Sequence, residues 1–581
     1  MKGKKAMLLV MILAMSIPSV ISSNNSVSVE YTFDTIFINN HWVIENGILQ
    51  EIAGEPLVPY YPARILLPQD TEVTDVTISH SSPIIQQGID IQWGQPPCTF
   101  SDTPVKVGRN SGIYGSDNPY PGKMIDILSV QSFRGFQILY VNLFPLQYQP
   151  KSQTVTLYET ITVNVKTQRG PGHTLYRGHS ADREAIIDLV DNPETVNTYT
   201  TPAQSVSPLL ESGTYEYVII TSDALTPTFQ ALANHKAAFV NGTKIVDIQW
   251  IYSNYTGLDN PMRVRNFITD AYNTWGTNWC LLGGDVDVVP YRGFYVRVQG
   301  GRDPDMAADM YFGCLDGTFD ADGDQRYGEE RDGIDWLEEV FVGRAPVETV
   351  DEAQVFVNKV IAYELAPKQK ICQFHQSRLA RDNTPDARVI AWDCEYWTPS
   401  DYEKRELFEE NGNVSKSDWI TAWNGKPLMF QHVGHGNTTV YGICYEVGGE
   451  VAWYNADVPS LINTDFWPIH MSVACITGEF EANDCLAEMY VKDDAGAIAT
   501  MMNDNYGWYS SLDASKYSGE FLETMFRALF SDGKQNLGEL LNQAKSYWIS
   551  AAESNGTYRW CYFEINLMGD PETPCLTQRA F

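Results

Sequence analysis

Two largely apolar runs, residues 427–431 and 466–474, constrain the fold of this chain more than any other sequence feature. Each run is short and continuous, which predicts a buried strand. His435 follows the first run, and Cys475 comes directly after the second. In an open α/β sheet, ligands bind in the crevice beyond the carboxyl ends of the strands. We therefore expect His435 and Cys475 to face one substrate there.

A cysteine and a histidine at one crevice are the minimum set for nucleophilic acyl transfer, because the thiolate attacks while the imidazole moves protons. A single cysteine that ends an apolar strand is ordinarily a packing residue. A second motif, around His435, favours a catalytic role for the cysteine over a packing role. Ala474-Cys475 with His435-Gly436 about forty residues upstream has the form of a caspase signature with one extra residue. Cys475 is therefore the candidate nucleophile and His435 the candidate general acid and base.

Three other side chains are rivals for these roles. His432 lies three residues before His435, and strand alternation places it on the opposite face, so we predict a packed or hydrogen-bonded histidine. Cys444 and Cys485 do not follow an apolar strand that ends in Ala-Cys. We predict structural roles for both.

The first 22 residues predict a signal peptide. Lys2, Lys4 and Lys5 form a basic start, residues 6–18 an apolar stretch, and residues 20–22 a cleavage context. The alternative is an uncleaved anchor, but the apolar stretch is shorter than the roughly 20 residues that span a bilayer. We expect a secreted or extracellular protein with no membrane span after signal cleavage, and association with the cell surface is the variant of this location that we keep open.

The net charge of −33 argues against a nucleic-acid partner, because phosphates require a basic face. The ten cysteines of an exported chain permit disulfides. Without Cys98 and Cys475, eight remain, which is compatible with four bridges of unknown connectivity.

Residues 23–169 contain short β-rich runs separated by Pro and Gly, which predict a β-sandwich or jelly roll. Residues 170–213 are polar and rich in turn-forming residues, and they include Arg177 and Arg183. This composition predicts an accessible linker in which proteolytic activation takes place.

Strands and helices then alternate to the end of the chain, which predicts mainly parallel sheets with helices on both faces. We predict two side-by-side α/β subdomains, residues 214–368 and 369–581, the second of which carries His435 and Cys475.

An acidic run, residues 316–324, places carboxylates at alternate positions around glycines. Ca²⁺ prefers flexible oxygen ligands in such an arrangement, although Arg331 at position twelve excludes a true EF-hand. We predict a structural calcium site formed by Asp320, Asp322, Asp324 and Glu329, against the alternative of a solvated acidic turn. No zinc motif is present, and we expect no organic cofactor.

Together with the His-Gly and Ala-Cys motifs, several landmarks occur in a characteristic order, namely residues 283–290, 309–312, 315–317, 340–344, 484–488 and 568–571. In these motifs the chain resembles the gingipain family of cysteine peptidases, relatives of caspases, from about residue 215 to 576. The part before residue 215 resembles the propeptide of that family more weakly. The resemblance implies a caspase-like catalytic unit behind an N-terminal prodomain.

The same resemblance implies roles for further residues. The backbone N–H groups of Gly436 and Cys475 would be the oxyanion donors. Asp309 would either form the bottom of an S1 pocket selective for Arg or Lys, or orient the catalytic histidine, and a capping or turn aspartate is the alternative. Trp508 would form a wall of the S1 pocket, unless it is an ordinary core tryptophan.

The sequence therefore predicts a secreted cysteine endopeptidase, made as a zymogen, that acts on protein or peptide substrates, with its own propeptide as inhibitor. A preference for Arg or Lys at the P1 position is part of this hypothesis. One alternative is a sortase-like transpeptidase of the same family, since an amine can resolve the same acyl-enzyme. Another is a calcium-binding surface protein with a vestigial catalytic pair.

Overall fold

The computed structural model describes residues 20–23, 26–172, 175–200, 207–298, 301–378, 385–412, 414–446, 449–482 and 484–580. Most of the predicted signal peptide lies outside the described residues, and its end enters the first strand. Within the described ranges, no helix is both long enough and apolar enough to cross a membrane.

The N-terminal unit is built from antiparallel strands, as the short β-rich runs predict. The strands are β1 (Val20–Ser23), β2 (Ser26–Thr32), β3 (Thr35–Ile38), β4 (His41–Ile44), β5 (Ile48–Gln50), β6 (Val58–Leu66), β7 (Thr71–His80), β8 (Ile84–Gln87), β9 (Pro97–Thr99), β10 (Ile125–Phe133), β11 (Phe136–Leu143), β12 (Leu146–Gln149), β13 (Thr154–Leu157) and β14 (Thr160–Arg169), with a short helix α1 (Ser111–Tyr114). Two sheets, in the orders β1-β2-β14-β7 and β10-β11-β6-β5, form a sandwich.

Alternation along the strands explains the sandwich. Buried and half-exposed residues alternate along β14, and Val163 pairs with Val29 of β2. These valines pack in one core with Ile65 of β6 and Leu139 of β11. The expected β-sandwich is therefore confirmed.

Strand β11 is buried on both faces along its whole length. Leu139 and Val141 enter the sandwich core, whereas Ile138 and Tyr140 pack with the core of the C-terminal α/β unit. The two units therefore share a continuous apolar interface through this strand.

The range predicted as a linker is partly folded. Helix α2 (Ser180–Leu189) and a 3₁₀ helix (Pro193–Thr198) lie within it. Arg177 is buried in an ion pair with Asp182, at 2.8 Å, and Asp182 also pairs with Arg134 of the sandwich. The Arg177 side chain is therefore held within the fold, whereas residues 178–181 and 211–213 of the same range are exposed.

The C-terminal α/β unit, residues 214–581, alternates strands and helices, as predicted. Its strands are β15 (Tyr217–Thr221), β16 (Thr243–Asp247), β17 (Trp279–Gly283), β18 (Gly293–Val298), β19 (Gly301–Ala307), β20 (Phe341–Ala345), β21 (Ile371–Gln376), β22 (Glu403–Phe408), β23 (Met429–His432), β24 (Gly436–Asn437), β25 (Val440–Glu446), β26 (Gly449–Tyr454), β27 (Ile469–Ser472), β28 (Ala499–Asn503), β29 (Trp508–Ser510) and β30 (Ile565–Met568). Its helices are α3 (Thr226–Lys236), α4 (Ile248–Asn254), α5 (Asn260–Trp275), α6 (Met310–Gly313), α7 (Val350–Leu365), α8 (Arg388–Trp397), α9 (Lys416–Asn424), α10 (Leu486–Lys492), α11 (Ser518–Phe530), α12 (Leu537–Ser546), α13 (Ile549–Ser554) and α14 (Gly556–Glu564).

The two predicted α/β subdomains meet in one ten-stranded sheet, in the order β16-β15-β17-β20-β30-β28-β27-β23-β21-β22. Strand β30 is the junction: it pairs parallel with β20 and antiparallel with β28. The other neighbouring strands of this sheet are parallel to one another. The α/β fold class is confirmed, and the last strand of the chain joins its two halves.

All ten cysteines are free and buried, so the four disulfides that their number permits do not form. The physical reason is that the thiols pack as small apolar groups within the core.

Candidate active site

His435 and Cys475 lie level with each other at the carboxyl edge of the ten-stranded sheet. Strands β23 and β27 are adjacent and parallel, and His432 pairs directly with Ser472. His435 and Cys475 each follow their member of this pair by three residues. Because neighbouring strands run about 5 Å apart, the two chains leave the sheet side by side at the paired residues His432 and Ser472. The His-Gly and Ala-Cys motifs thus begin at the same edge of the sheet.

The turn that carries Cys475 is tightly held. Ile476 adopts a left-handed conformation with φ 63°, which is rare for a β-branched residue and costs free energy. Its N–H donates to the carbonyl of Asn505 at 2.9 Å, and the N–H of Gly478 donates to Asn503 at 2.8 Å. These bonds to the neighbouring strand hold the strained turn and fix the direction of the thiol.

Gly436 is required by the close approach of the two motifs. A Cβ atom built at this position would lie 2.7 Å from the carbonyl oxygen of Cys475 and 2.9 Å from the Cβ of Ala474. A larger residue would push the His-Gly and Ala-Cys motifs apart.

The thiol of Cys475 is covered by the N-terminal unit. The Ser101 hydroxyl donates a hydrogen bond of 3.5 Å to Cys475 Sγ, across 374 positions of the chain. Cys475 is fully buried. Burial raises the pKa of the Cys475 thiol to about 11, although hydrogen bonds from Ser101 and from backbone groups of Gly507 and Phe100 oppose this effect. The thiol is therefore neutral at physiological pH in this state.

Residues 97–102, which we name the covering segment, enter the crevice as an added strand. Strand β9 pairs antiparallel with β29, and Thr99 lies opposite Trp508. The N–H of Phe100 then donates to the carbonyl of Gly507 at 2.9 Å, and the chain turns back as the N–H of Asp102 donates to Thr99 at 3.1 Å. Strand addition of this kind is a common mode of peptide recognition.

His432 lies beneath the crevice. Its ring contacts the Ser472 hydroxyl at 2.8 Å and the Gly442 carbonyl at 3.1 Å, and it stacks on Tyr441 and His375. Burial, together with the neighbouring histidines, holds the pKa of His432 well below its usual value. These contacts are those of the packed, hydrogen-bonded histidine that the sequence predicts. Cys444 and Cys485 are likewise buried thiols.

Asp309 lies in a buried ion pair. Both of its carboxylate oxygens accept hydrogen bonds of 2.7 Å from the Arg344 guanidinium, and its N–H donates to the side chain of Asn566. Arg344 also donates to the carbonyls of Gly284 and Val289. The pair therefore ties the Gly-Gly-Asp turn after β17 to β20.

Trp508 and Tyr509 point to opposite faces of β29, because side chains alternate along a strand. Trp508 packs edge-on against Trp560. Tyr509 stacks on Phe100 of the covering segment, with ring centroids 5.4 Å apart and planes inclined by 3°. The structure thus brings Tyr509, and not Trp508, to the Phe100 side of the strand.

The predicted calcium ligands are gathered in one loop. Carboxylate oxygens of Asp322, Asp324 and Glu329 lie within 4.8 Å of one another, and Asp320 and Asp322 form a second such group with Asp332. Asp332 is buried and was not among the predicted ligands. Its position two residues after Glu330 was the available signal.

The sequence also missed Phe100, Ser101, Gly507 and Tyr509. No motif marks the covering segment, since it acts on a crevice formed more than 370 positions away. The position of Tyr509 next to Trp508 was the available signal for the wall of the crevice.

Comparison with known proteins identifies the family of this chain. The model of Peptidase family C25 matches residues 210–575, and the model Propeptide_C25 matches residues 42–201. The chain is 21% identical to gingipain R2 of Porphyromonas gingivalis strain ATCC BAA-308 / W83 over 489 residues, which cover 81% of this chain and 61% of that protein. It is 21% identical to gingipain R1 of Porphyromonas gingivalis over 497 residues, or 82% of this chain and 46% of the relative.

The crystal structure of the Arg-specific cysteine proteinase gingipain R has a TM-score of 0.47 and 18% identity, and the match covers 63% of this chain and 80% of that one. The chain spans about half to three fifths of the length of the two curated gingipain relatives, R1 and R2. The propeptide match precedes the peptidase match along the chain. Because the peptidase model alone covers more than half of the sequence, the chain belongs to Peptidase family C25.

Proposed function

We propose that this chain is the zymogen of a cysteine endopeptidase in which Cys475 is the nucleophile and His435 the general acid and base. The observation that carries the proposal is their equal offset beyond a directly paired position on two adjacent parallel strands. Membership in a peptidase family supports the same conclusion.

The proposed reaction has two steps. The Cys475 thiolate attacks the carbonyl carbon of the P1 residue, the C–N bond breaks, and protonated His435 gives its proton to the leaving amine. His435 then takes a proton from water, which attacks the thioester and releases the new carboxylate and the thiol. Once the crevice opens, a nearby imidazolium favours the thiolate form of Cys475.

The backbone N–H groups of Gly436 and Cys475 are the proposed oxyanion donors. The contact of Gly436 with the Cys475 backbone supports this role, since it brings the two peptide groups together. The loss of one such donor typically lowers the rate by a factor on the order of a hundred to a thousand.

The N-terminal unit is the proposed inhibitor. Its covering segment fills the crevice, and the thiol beneath it is neutral because burial raises its pKa to about 11. Activation then requires cleavage of the chain between residues 170 and 213. The boundary between the two family matches, residues 201 and 210, favours that part of the range over the buried Arg177.

Two further proposals concern export and calcium. The basic and apolar start of the sequence supports secretion through a signal peptide. The clustered carboxylates of Asp320, Asp322, Asp324, Glu329 and Asp332 fit the oxygen ligands of Ca²⁺, which would stabilise the loop they share.

Cleavage after Arg or Lys has less support. A pocket that selects a basic side chain needs a carboxylate that is free to pair with it. Both oxygens of Asp309 are engaged by Arg344, and Trp508 points to the other face of β29 from Phe100.

Peptide hydrolysis by purified variants tests the proposal. Cys475→Ala should abolish hydrolysis, and His435→Ala should lower it by several orders of magnitude, both with an unchanged fold by circular dichroism. Cys444→Ala, the same change at another buried thiol, is the matched control and should keep activity. Hydrolysis by Cys475→Ala protein free of contaminating peptidases would refute the assignment.

Two additions to this assay address the alternatives. An added amine that diverts the acyl-enzyme into a new amide would indicate transpeptidation. A peptidyl electrophile that fails to label Cys475 after activation would indicate a vestigial site.

A further inference from the structure

Phe100 occupies the position of a substrate residue. Its N–H donates to the Gly507 carbonyl, and the next residue, Ser101, contacts Cys475 Sγ. The peptide bond between Phe100 and Ser101 therefore lies beside the thiol. In a substrate that pairs with β29 in the same register, the residue at the place of Phe100 carries the carbonyl that the thiol attacks, and its side chain fills the S1 pocket.

The surroundings of the Phe100 ring are apolar and flat. The ring is fully buried and stacks on Tyr509 in a nearly parallel arrangement. A Cβ atom built on Gly507 would lie 2.6 Å from Cδ2 of Phe100, so only glycine leaves room for the ring at this position. The Tyr509 ring therefore forms one wall of this site, and the backbone of Gly507, which has no side chain, forms another.

The covering segment escapes cleavage because of its shape. Peptidases that bind by strand addition hold the substrate extended. Here the bond from Asp102 N–H to Thr99 makes Phe100 and Ser101 the two central residues of a tight turn. Phe100 can fill the pocket while the chain after it leaves the direction that a substrate would follow.

Of the two carboxylates near the crevice, Asp309 has both oxygens engaged, whereas Oε2 of Glu564 is buried and has no hydrogen-bond partner among the described residues. Asp309 is paired with Arg344. Glu564 accepts a hydrogen bond from Ser518, whose hydroxyl also accepts from the N–H of Trp508. Among the described contacts of the Phe100 ring, the close partners are an aromatic ring and backbone.

We propose that the S1 pocket of this enzyme, formed by Tyr509 and Gly507, selects an aromatic or large apolar P1 residue, and that Phe100 is the prodomain side chain that occupies it. This inference rests on the proposed peptidase function and specifies its substrate class. Tyr509 is the specificity-determining residue, because its ring supplies the stacking surface.

Peptidyl acyloxymethyl ketones that differ only in the P1 residue test the inference on the full chain. Each reagent must wait for the same opening of the covering segment, so the ratio of their rates of Cys475 labelling depends on the S1 pocket alone. We expect the Phe reagent to label Cys475 at least ten times faster than the Lys, Arg and Ala reagents.

Variants of the pocket wall make the test specific. Tyr509→Ala should remove most of the ratio between the Phe and Ala reagents, and Tyr509→Phe, which keeps the ring, should restore it. Tyr396→Ala, at a tyrosine that is 70% exposed on α8, is the matched control and should leave the ratio unchanged.

The outcomes separate the two proposals. Faster labelling by the Lys or Arg reagent, or equal labelling by all reagents, would overturn the aromatic S1 pocket while the peptidase assignment stands. Failure of every reagent to label Cys475, even after proteolytic removal of the covering segment, would refute the peptidase function and this inference with it.

Discussion

Replacement of Phe100 by Ala should release the Cys475 thiol from the N-terminal unit. Phe100 is fully buried and stacked on Tyr509. Truncation of a buried Phe typically costs about 3–5 kcal/mol. The lower value applies here because the covering segment ends in an exposed turn that can relax. Since each 1.4 kcal/mol or so is a factor of ten, the open state of the segment should become on the order of a hundred times more populated.

Alkylation of Cys475 by iodoacetamide in the full chain, mapped by mass spectrometry, measures this opening. When the segment recloses faster than the reagent reacts, the labelling rate follows the population of the open state. Opening also lets the pKa of the thiol fall from about 11 towards its ordinary value, so the thiol reacts from the open state in both proteins. We expect labelling of Cys475 to accelerate at least a hundredfold.

Controls within the same chain make the result interpretable. Cys280, fully buried on β17, reports global unfolding and should not react faster. Phe37→Ala, at a partly exposed residue of β3 in the N-terminal unit, should leave Cys475 protected. Phe100→Tyr should keep protection, whereas Phe100→Lys should lose it. Unchanged labelling of Cys475 in Phe100→Ala, or a parallel increase at Cys280, would refute the reasoning.

Three further predictions concern stability. Asp309→Asn should lower the free energy of unfolding, measured in urea, by about 3–5 kcal/mol, because it leaves the buried Arg344 charge without its partner. Asp75→Asn, which breaks an exposed ion pair, should have no such effect. Equal effects of the two changes would contradict the argument. Burial lowers the pKa of His470 to about 3, so the unfolded state binds a proton as pH falls below about 6.5 and the folded state does not. The free energy of unfolding falls between pH 7 and pH 5, and this fall should be smaller by about 2 kcal/mol in His470→Phe than in the wild-type protein. Equal falls in the two proteins would show that His470 does not contribute to the acid destabilisation. Millimolar Ca²⁺ should raise the melting temperature, by a stabilisation of about 2.7 kcal/mol at a hundredfold excess over Kd, and Asp322→Asn should abolish the effect; identical curves in Ca²⁺ and EDTA would exclude the site.

The N-terminal sandwich and the alternating catalytic unit were both predictable from the sequence, because hydrophobic periodicity is local. Strand β14 alternates buried and half-exposed residues, and the runs before His435 and Cys475 are continuous and apolar. The placement of the two catalytic candidates also followed from local information. Each comes directly after a buried strand, and strand ends at one edge of a parallel sheet lie together.

Three other features depend on contacts between distant parts of the chain. Strand β30 joins the two halves of the sheet, although its sequence is compatible with a strand in either half. Asp309 is paired because Arg344 of β20 reaches it, and no spacing in the sequence indicates this. Residues 180–189 form a helix that packs on the protein, where composition alone predicted an open linker.

The sequence by itself determined which residues could do chemistry, since the apolar runs before His435 and Cys475 fix them at strand ends. Only the tertiary structure decided what the crevice holds. Phe100 and Ser101 reach Cys475 because β9 pairs with β29, and that pairing joins segments about 400 residues apart. The register of the same pairing turns Tyr509 towards Phe100 and Trp508 away from it. Because a side chain on a strand changes face with every residue, a difference of one position decides which aromatic ring meets Phe100.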